Sequence, residues 1–460
     1  MNGFSDSNVW SFMLLLMLLF GSLVIANMMK RRIPFLKNSL IPNSVLGGIV
    51  ILLFEWIYML IAGYSIFESP MLGGTGNDTL EMITYHCLAL GFIASSLKTG
   101  GGKMGKNRAN EVFNTGLTTV GTYLLQGTVG MVITIISACV LGNVFEAAGL
   151  LLPFGYGQGT GQALNWGGIY ETEFGFVNGR SFGLTIAAFG FLSAAVGGVI
   201  HLNIQKKSGR LKLSTRTDGS THSEKIESYN EIPMQESVDK LTVQIAFIMI
   251  AYGICYALMN GVSALIPNMK ETVFGFNFIF GVLSATLVKM VVNKLYLKKL
   301  ITRKYTNNFL MTRLSNLFFD LMVVAGVAAI RIESLKQYWA ILIVIGIAGL
   351  IVTYVYNRII AKKLFPEYYE EQFMAMYGML TGTASTGVIL LREIDPEFKT
   401  PVSDNIVYQN FPAIVFGFPL MLLANLAPVK PGLTTIILAL MFVVINIILF
   451  RSFIFKKRKK

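Results

Sequence analysis

The sequence predicts an all-α integral membrane protein: two inverted five-helix repeats, each with a re-entrant hairpin, plus one extra C-terminal transmembrane helix. Three observations lead there. Hydrophobic residues make up 53% of the 460 and charged residues only 14%. Apolar runs of the ~20 residues that a bilayer-crossing helix needs recur along the chain. One hydrophilic stretch, QKKSGRLKLSTRTDGSTHSEKIESYNEIPMQESVDK at 205–240, separates these runs into halves of similar plan.

The first run, VWSFMLLLMLLFGSLVIANMM at 9–29, is followed rather than preceded by its basic cluster Lys30, Arg31 and Arg32. It therefore reads as a retained helix and not as a secretory leader. Further spans are expected at 41–62, 80–97, 113–141 and 181–203, then at 241–266, 273–294, 310–330, 338–357 and 406–427, with the extra helix at 433–454. The organisation that follows is a first repeat over 1–204 with its hairpin near 150–168, and a second over 241–427 with its hairpin near 372–390. Between them lies the linker 205–240, whose low hydrophobicity and mixed charge suit a flexible connector. The added helix and a basic tail occupy 428–460. Each half holds an odd number of full spans, so the second starts on the side opposite to the first, which is inverted topology.

Charge and cysteine usage exclude several classes. The net charge is +13, yet the basic residues sort by loop: with the N-terminus outside, roughly thirty Lys and Arg fall on the inner side against about five on the outer, the positive-inside pattern. The linker and the C-terminal tail are then cytoplasmic. This charge encodes orientation and attraction to anionic lipid heads, not a nucleic-acid partner. Cys87, Cys139 and Cys255 lie in apolar segments and read as small buried residues, without a disulfide framework or a cysteine metal site. No G-x-G-x-x-G register fits 155–168, no phosphate-binding G-x-x-x-x-G-K-[ST] occurs, and His86, His201 and His222 are not spaced as a zinc motif. With no nucleophile elbow either, an enzyme is not expected.

Two segments break the apolar pattern. PFGYGQGTGQALNWGG at 153–168 contains six glycines, and MYGMLTGTASTGVILLREID at 376–395 crowds Thr381, Thr383, Ser385 and Thr386 together. Both are too short and too broken to cross a bilayer. Irregular backbone in hydrocarbon leaves unpaired polar groups costing several kcal/mol each, so such segments must be buried in protein or line a watery cavity. Ordinary surface loops with turn glycines are the alternative. Equivalent places in the two halves and a low Asp and Lys content favour re-entrant hairpins.

Inverted repeats with broken helices are the means by which secondary transporters build sites near the midplane. Freed carbonyl oxygens coordinate Na⁺, and helix N-termini attract carboxylates. The candidate Na⁺ ligands are Thr160, Thr381, Gly382, Thr383, Ser385, Thr386 and Asp320, and no cofactor is expected beyond that coupling ion. Asp320 sits inside the run NLFFDLMVVAG, where a carboxylate is expensive and is either functional or a structural partner. The candidate substrate contacts are Gly157, Gln158, Gly159, Thr160, Gly161, Gln162 and Arg392. Arg392 could fork onto a carboxylate or pair locally with Glu393 or Asp395. Glu55 reads as paired or snorkelling, His86 as a satisfied buried histidine, and Gly183, Gly190, Ala194 and Gly197 as a close-packing face.

Four stretches in order, IPNSVLGGIV (41–50), LGFIASSLKTGGG (90–102), GQGTGQALNW (157–166) and LTGTASTG (380–387), resemble the motifs of the bacterial sodium/glutamate symporters. The resemblance implies hairpins entering from opposite sides, Na⁺-driven uptake of glutamate across the cell membrane, and a homodimer. Departures fall at Gln158, where the family carries His before Gly-Thr-Gly, at Gln162, where it carries small residues, and at Leu390, where an Asn is usual. The helix after Pro431 is absent from shorter members. A symporter of another small carboxylate or amino acid, a channel and a membrane-embedded enzyme are the other classes.

Overall fold

Long apolar runs satisfy their backbone in lipid only as helices or closed barrels, and among the described residues the chain is helical, with no strand. The computed structural model describes residues 7–34, 36, 41–98, 106–142, 144–207, 239–267, 270–301, 305–395 and 399–451. Most of the linker and of the basic tail lies outside this set. Among the described residues ten helices are long and apolar enough to cross a membrane, or up to eleven if Val402–Tyr408 and Asn410–Leu426, bent by 47°, form one span. These coincide with the runs expected from the sequence.

In chain order the helices are α1 Ser7–Arg32, α2 Asn43–Ala62, α3 Gly76–Leu97 and α4 Lys106–Leu141. A broken segment follows: a 3-10 turn at Glu146–Leu150, a π turn at Pro153–Gly157, then α5 Thr160–Phe174. Next come α6 Gly179–Lys207, α7 Lys240–Leu265, the short α8 Lys270–Gly275, α9 Asn277–Leu297, α10 Asn308–Ala328 and α11 Trp339–Leu364. The second broken segment is α12 Tyr369–Leu380 and α13 Ala384–Arg392. The bent pair α14 Val402–Tyr408 and α15 Asn410–Leu426 precedes α16 Pro431–Leu449.

Compactness divides the chain otherwise than sequence order does. One unit takes residues 82–98 and 239–322, and the other takes 7–81, 106–207 and 323–451. The smaller unit packs Ile93, Ala94 and Leu97 of α3 against Ile248 and Ala251 of α7, Ala285 and Val288 of α9, and Met311 and Leu314 of α10. Gly91 makes room there: a Cβ at that position would lie 2.7 Å from the Phe319 ring. His86 is exposed and hydrogen-bonded to the Tyr252 hydroxyl, so the expectation of a buried histidine is corrected while its being satisfied stands.

The larger unit contains both broken segments. In the first, Phe145 before the 3-10 turn and Phe176 after α5 stack at 4.7 Å, so the chain leaves this segment where it entered. Between these ends Phe154 stacks on Trp166 at 5.2 Å, closing one arm on the other. In the second segment Gly378 and Gly387 let α12 and α13 touch, since a Cβ on Gly387 would lie 2.5 Å from the Ala375 carbonyl oxygen. The hairpins therefore run over 145–176 and 369–392, longer at both ends than the sequence predicted, because the glycine-poor arms are apolar and resemble ordinary helix.

Helices α4 and α11 brace both hairpins along their length. Tyr338, just before α11, packs on Phe176 at the base of the first hairpin, and further along Gly346 accepts a hydrogen bond from the Tyr156 hydroxyl at 2.5 Å. Further on still, Thr353 accepts from Gln126 of α4, which also donates to Leu380 at the end of α12. Arg358 then clasps Glu370 at the base of the second hairpin. The two hairpins thus approach α11 from opposite ends. On α4 the order is reversed: Thr134 donates to the Glu146 carbonyl, Tyr123 to Gly157 at 3.0 Å, and Thr115 accepts from Gln372.

Other sequence features acquire structural roles. Gly47 and Gly48 of α2 pack against Val324 and Val327. Glu55 accepts a hydrogen bond from Ser65, the paired reading. Cys87 and Cys255 are buried, but Cys139 is exposed near the end of α4, so the expectation of three buried cysteines is corrected there. The added helix α16 lies along α4 and is tied to α11 at Tyr356, whose hydroxyl donates to Asn446 at 3.1 Å.

The base of the second hairpin is held by charge. Arg358 donates to Glu370 through both terminal nitrogens, at 2.5 and 2.7 Å, and stacks on Tyr369 and Phe373. His201 bridges Glu370 at 2.9 Å and the Tyr354 hydroxyl at 2.7 Å. The Arg358 and Glu370 side chains are only 13% and 10% exposed. Removing one member of such a pair strands a buried charge and costs about 3–5 kcal/mol. Glu370→Gln is therefore expected to lower the apparent unfolding temperature in detergent. A wild-type unfolding temperature for E370Q would show that the ion pair does not anchor the hairpin.

Candidate functional site

The first hairpin breaks where proline and glycine remove helical continuity. Pro153 has no N–H to donate, and Gly159 adopts φ +81, a left-handed backbone that costs glycine little. Helix α5 then starts at Thr160 without a side-chain cap. The amides of its first turn have no acceptor within the helix. In the second hairpin α12 ends at Leu380, and α13 begins after Thr383, which is extended and likewise provides no side-chain cap. Each break thus presents a helix end rich in carbonyl oxygens beside a helix start rich in N–H groups.

The breaks meet at Gly190 of α6. A Cβ there would lie 2.5 Å from the Thr381 carbonyl oxygen and 3.2 Å from the Tyr156 Cα, so glycine alone admits both hairpins. Gly183 does the same for Ala163, and Gly197 for the Tyr377 hydroxyl. The expected close-packing face is therefore present and serves both hairpins.

Most of the expected residues cluster at the breaks. Thr160 is fully buried against Gly326 of α10. Gln162 is 2% exposed, and neither its amide oxygen nor its nitrogen has a hydrogen-bond partner. Gln158 is half-buried. Thr381 is fully buried and donates to the Tyr377 carbonyl at 2.6 Å, leaving its hydroxyl lone pairs for another partner. The Thr383 and Thr386 hydroxyls stand 3.4 Å apart, and Gly382 lies against Thr386. The Ser385 side chain lies outside the described set.

One expected residue is not brought to the breaks. Arg392 is exposed at the last position of α13, nine residues beyond Thr383 and so about 13 Å along the helix. The Asp395 carboxylate accepts from the backbone of Lys399 and Thr400 and from the Thr400 hydroxyl. Burial alone would raise that carboxyl, but these hydrogen bonds and the Lys399 charge hold it below its ordinary value. Asp320 is exposed on the part of α10 that belongs to the other compact unit.

Residues that the sequence reading missed complete the surroundings. Tyr123 and Gln126 satisfy a freed carbonyl in each hairpin, at Gly157 and Leu380. Tyr156 ties its own break to Ser193 of α6 at 2.9 Å. Gln126 and Asn357 were readable in principle, as lone amides inside the apolar runs LLQGTVG and YVYNRII. Among the described residues no group of three or more His, Cys, Asp or Glu could hold a metal ion. What the breaks offer is neutral oxygen ligands and amide donors, suited to a small monovalent cation and a carboxylate.

Residues 9–399 match the family model described as sodium/glutamate symporter. No curated protein matches the chain.

The meeting at Gly190 makes a stability prediction. Gly190→Val places atoms where backbone already lies, and overpacking of this kind costs about 1–3 kcal/mol. The variant should unfold at lower temperature in detergent, whereas Gly21→Ala, with nothing within 4 Å of the added Cβ, should not. Equal unfolding temperatures for G190V and wild type would contradict the close approach.

Proposed function

The chain belongs to the sodium/glutamate symporter family over residues 9–399, and from that premise we propose that it carries glutamate into the cell with Na⁺ by alternating access. The observation that carries this reading is the convergence of two uncapped helix breaks at Gly190, with the buried Gln162 amide unpartnered beside one of them. Broken helices of this kind pair anionic substrate groups with helix N-termini and coupling ions with freed carbonyls.

In this reading the amides of Gly159 to Gln162 and the Gln158 and Gln162 side chains hold the substrate carboxylates. Na⁺ is held by backbone carbonyls with the hydroxyls of Thr160, Thr381, Thr383, Ser385 or Thr386, and Asp320 is a further candidate tested by Asp320→Asn. Arg392 is assigned to the rim. The architecture is two inverted repeats, supported by the approach of the hairpins to α4 and α11 from opposite ends. The N-terminus is outside, with the linker and basic tail cytoplasmic, in keeping with the positive-inside pattern. The family resemblance supports a homodimer. No cofactor beyond Na⁺ is invoked.

A second reading, a symporter of another small carboxylate, is favoured by one observation: Gln158 and Gln162 stand where the family has other residues. Uptake of radiolabelled glutamate into proteoliposomes, with and without a Na⁺ gradient, tests both, with aspartate, citrate and neutral amino acids as competitors. We expect Na⁺-dependent uptake that aspartate competes. Uptake of citrate that glutamate cannot compete would move the assignment to the second reading. Thr160→Val and Thr383→Val should each lower Na⁺-dependent uptake about tenfold or more, the scale of one lost polar ligand, with folded protein retained. Normal uptake in both would overturn the site.

A further inference from the structure

The face of α4 that looks onto the second hairpin carries Thr115, Thr119, Thr122 and Gln126, spaced four, three and four residues apart and therefore on one side of the helix. All four are at most 1% exposed. By helical rise the line is about 16 Å long. It follows α12 from its base, where Gln372 donates to Thr115 at 3.2 Å, to its end, where Gln126 donates to the Leu380 carbonyl at 3.0 Å.

Three amides join this line, and each is used in the same way. Gln372 gives its nitrogen to Thr115, Asn357 to Thr122 and the Thr353 carbonyl, and Gln126 to Thr353 and Leu380. In each the carbonyl oxygen is buried and without a hydrogen-bond partner. A buried amide oxygen left unpartnered is costly, and three along one line are a recurrent arrangement rather than an accident of packing. Their nitrogens are committed, so what each amide has left to offer a ligand is an acceptor oxygen. Acceptors repel a carboxylate and suit a cation, and with no carboxylate among these residues the fitting charge is a single one.

The far end of the line reaches solvent. Thr115 donates to the Glu111 backbone, and the Glu111 side chain, 34% exposed, pairs with Arg108 at 2.9 Å. The near end is the carbonyl-rich end of α12, one of the breaks assigned to Na⁺ above.

We propose that this line is a track for the coupling cation between the second break and the membrane face at the base of that hairpin, with the oxygens of Gln372, Asn357 and Gln126 as successive ligands. The proposal rests on the symport reading for the identity of the ion, Na⁺, but its geometry stands independently of which carboxylate is carried.

Gln372→Leu and Asn357→Leu remove an oxygen at moderate structural cost, because Thr115 and Thr122 keep their own acceptors at Glu111 and Thr118. In proteoliposomes of the full chain, the Na⁺ concentration for half-maximal glutamate uptake should rise about tenfold in each, the scale of one lost ligand. Values within about twofold of wild type in both folded variants would overturn the track. A second measurement does not depend on transport. With Cys87, Cys139 and Cys255 replaced by Ser, Thr122→Cys should react with a small cationic methanethiosulfonate, faster than with an anionic one, and Na⁺ but not choline should slow it. No reaction with either reagent, equal rates with both, or no protection by Na⁺ would overturn the track. Uptake by the unaltered chain that ignores Na⁺ would instead sink the symport reading, leaving the thiol measurement to decide the track.

Discussion

Everything in the larger unit follows from one constraint: backbone polar groups that leave a helix inside a membrane protein must find partners without bulk water. Two interrupted segments are placed there, and each releases carbonyls and amides at its break. The protein answers with close approach. Gly190 lets Thr381 and Tyr156 come against the same turn of α6, and α4 supplies Tyr123 and Gln126 to freed carbonyls of the two hairpins. A larger residue at Gly190 would separate the breaks, and apolar residues at Tyr123 and Gln126 would leave their carbonyls orphaned.

The same economy explains why the hairpins are held differently at their ends. The first is closed by aromatic stacking, Phe145 on Phe176 and Phe154 on Trp166, which costs no desolvation of charge. The second is anchored by the clasp of Arg358, Glu370, His201 and Tyr354, where each charge is paired and hydrogen-bonded. Satisfying one group after another in this way leaves few buried polar atoms unpartnered near the breaks. Among those that remain, the atoms of Gln162 and Gln126, of Asn357, and of Gln372 at the base of the second hairpin are ones to which a ligand has much to offer.

A good part of this was legible in the sequence. Apolar runs announce spans because hydrocarbon admits little else, and the glycine-rich stretches at 157–162 and 380–387 announce breaks because glycine tolerates what other residues do not. The packing series on α6 was legible as small residues at helical spacing. Less legible were the arms of the hairpins: Phe145 to Leu152 and Tyr369 to Leu380 carry ordinary helical composition, and only their stacking and clasping partners reveal where the hairpins begin. Arg392 looked close to the break in sequence, but a helix carries it about 13 Å away, and Cys139 looked buried in an apolar run whose outward face it occupies.

The sequence by itself determined that the chain is a membrane protein, roughly where its helices run, where two of them break, and, through four motifs, its resemblance to sodium/glutamate symporters. Those properties are local, set by the hydropathy and backbone freedom of neighbouring residues. Only the tertiary structure decided that Gly190 is the meeting point, that Gln126 and Tyr123 serve opposite hairpins, and that three amides along α4 commit their nitrogens and leave their oxygens unpartnered. Those facts depend on residues from 34 to 257 positions apart, whose separation in the chain says nothing of their distance in space until the helices are packed.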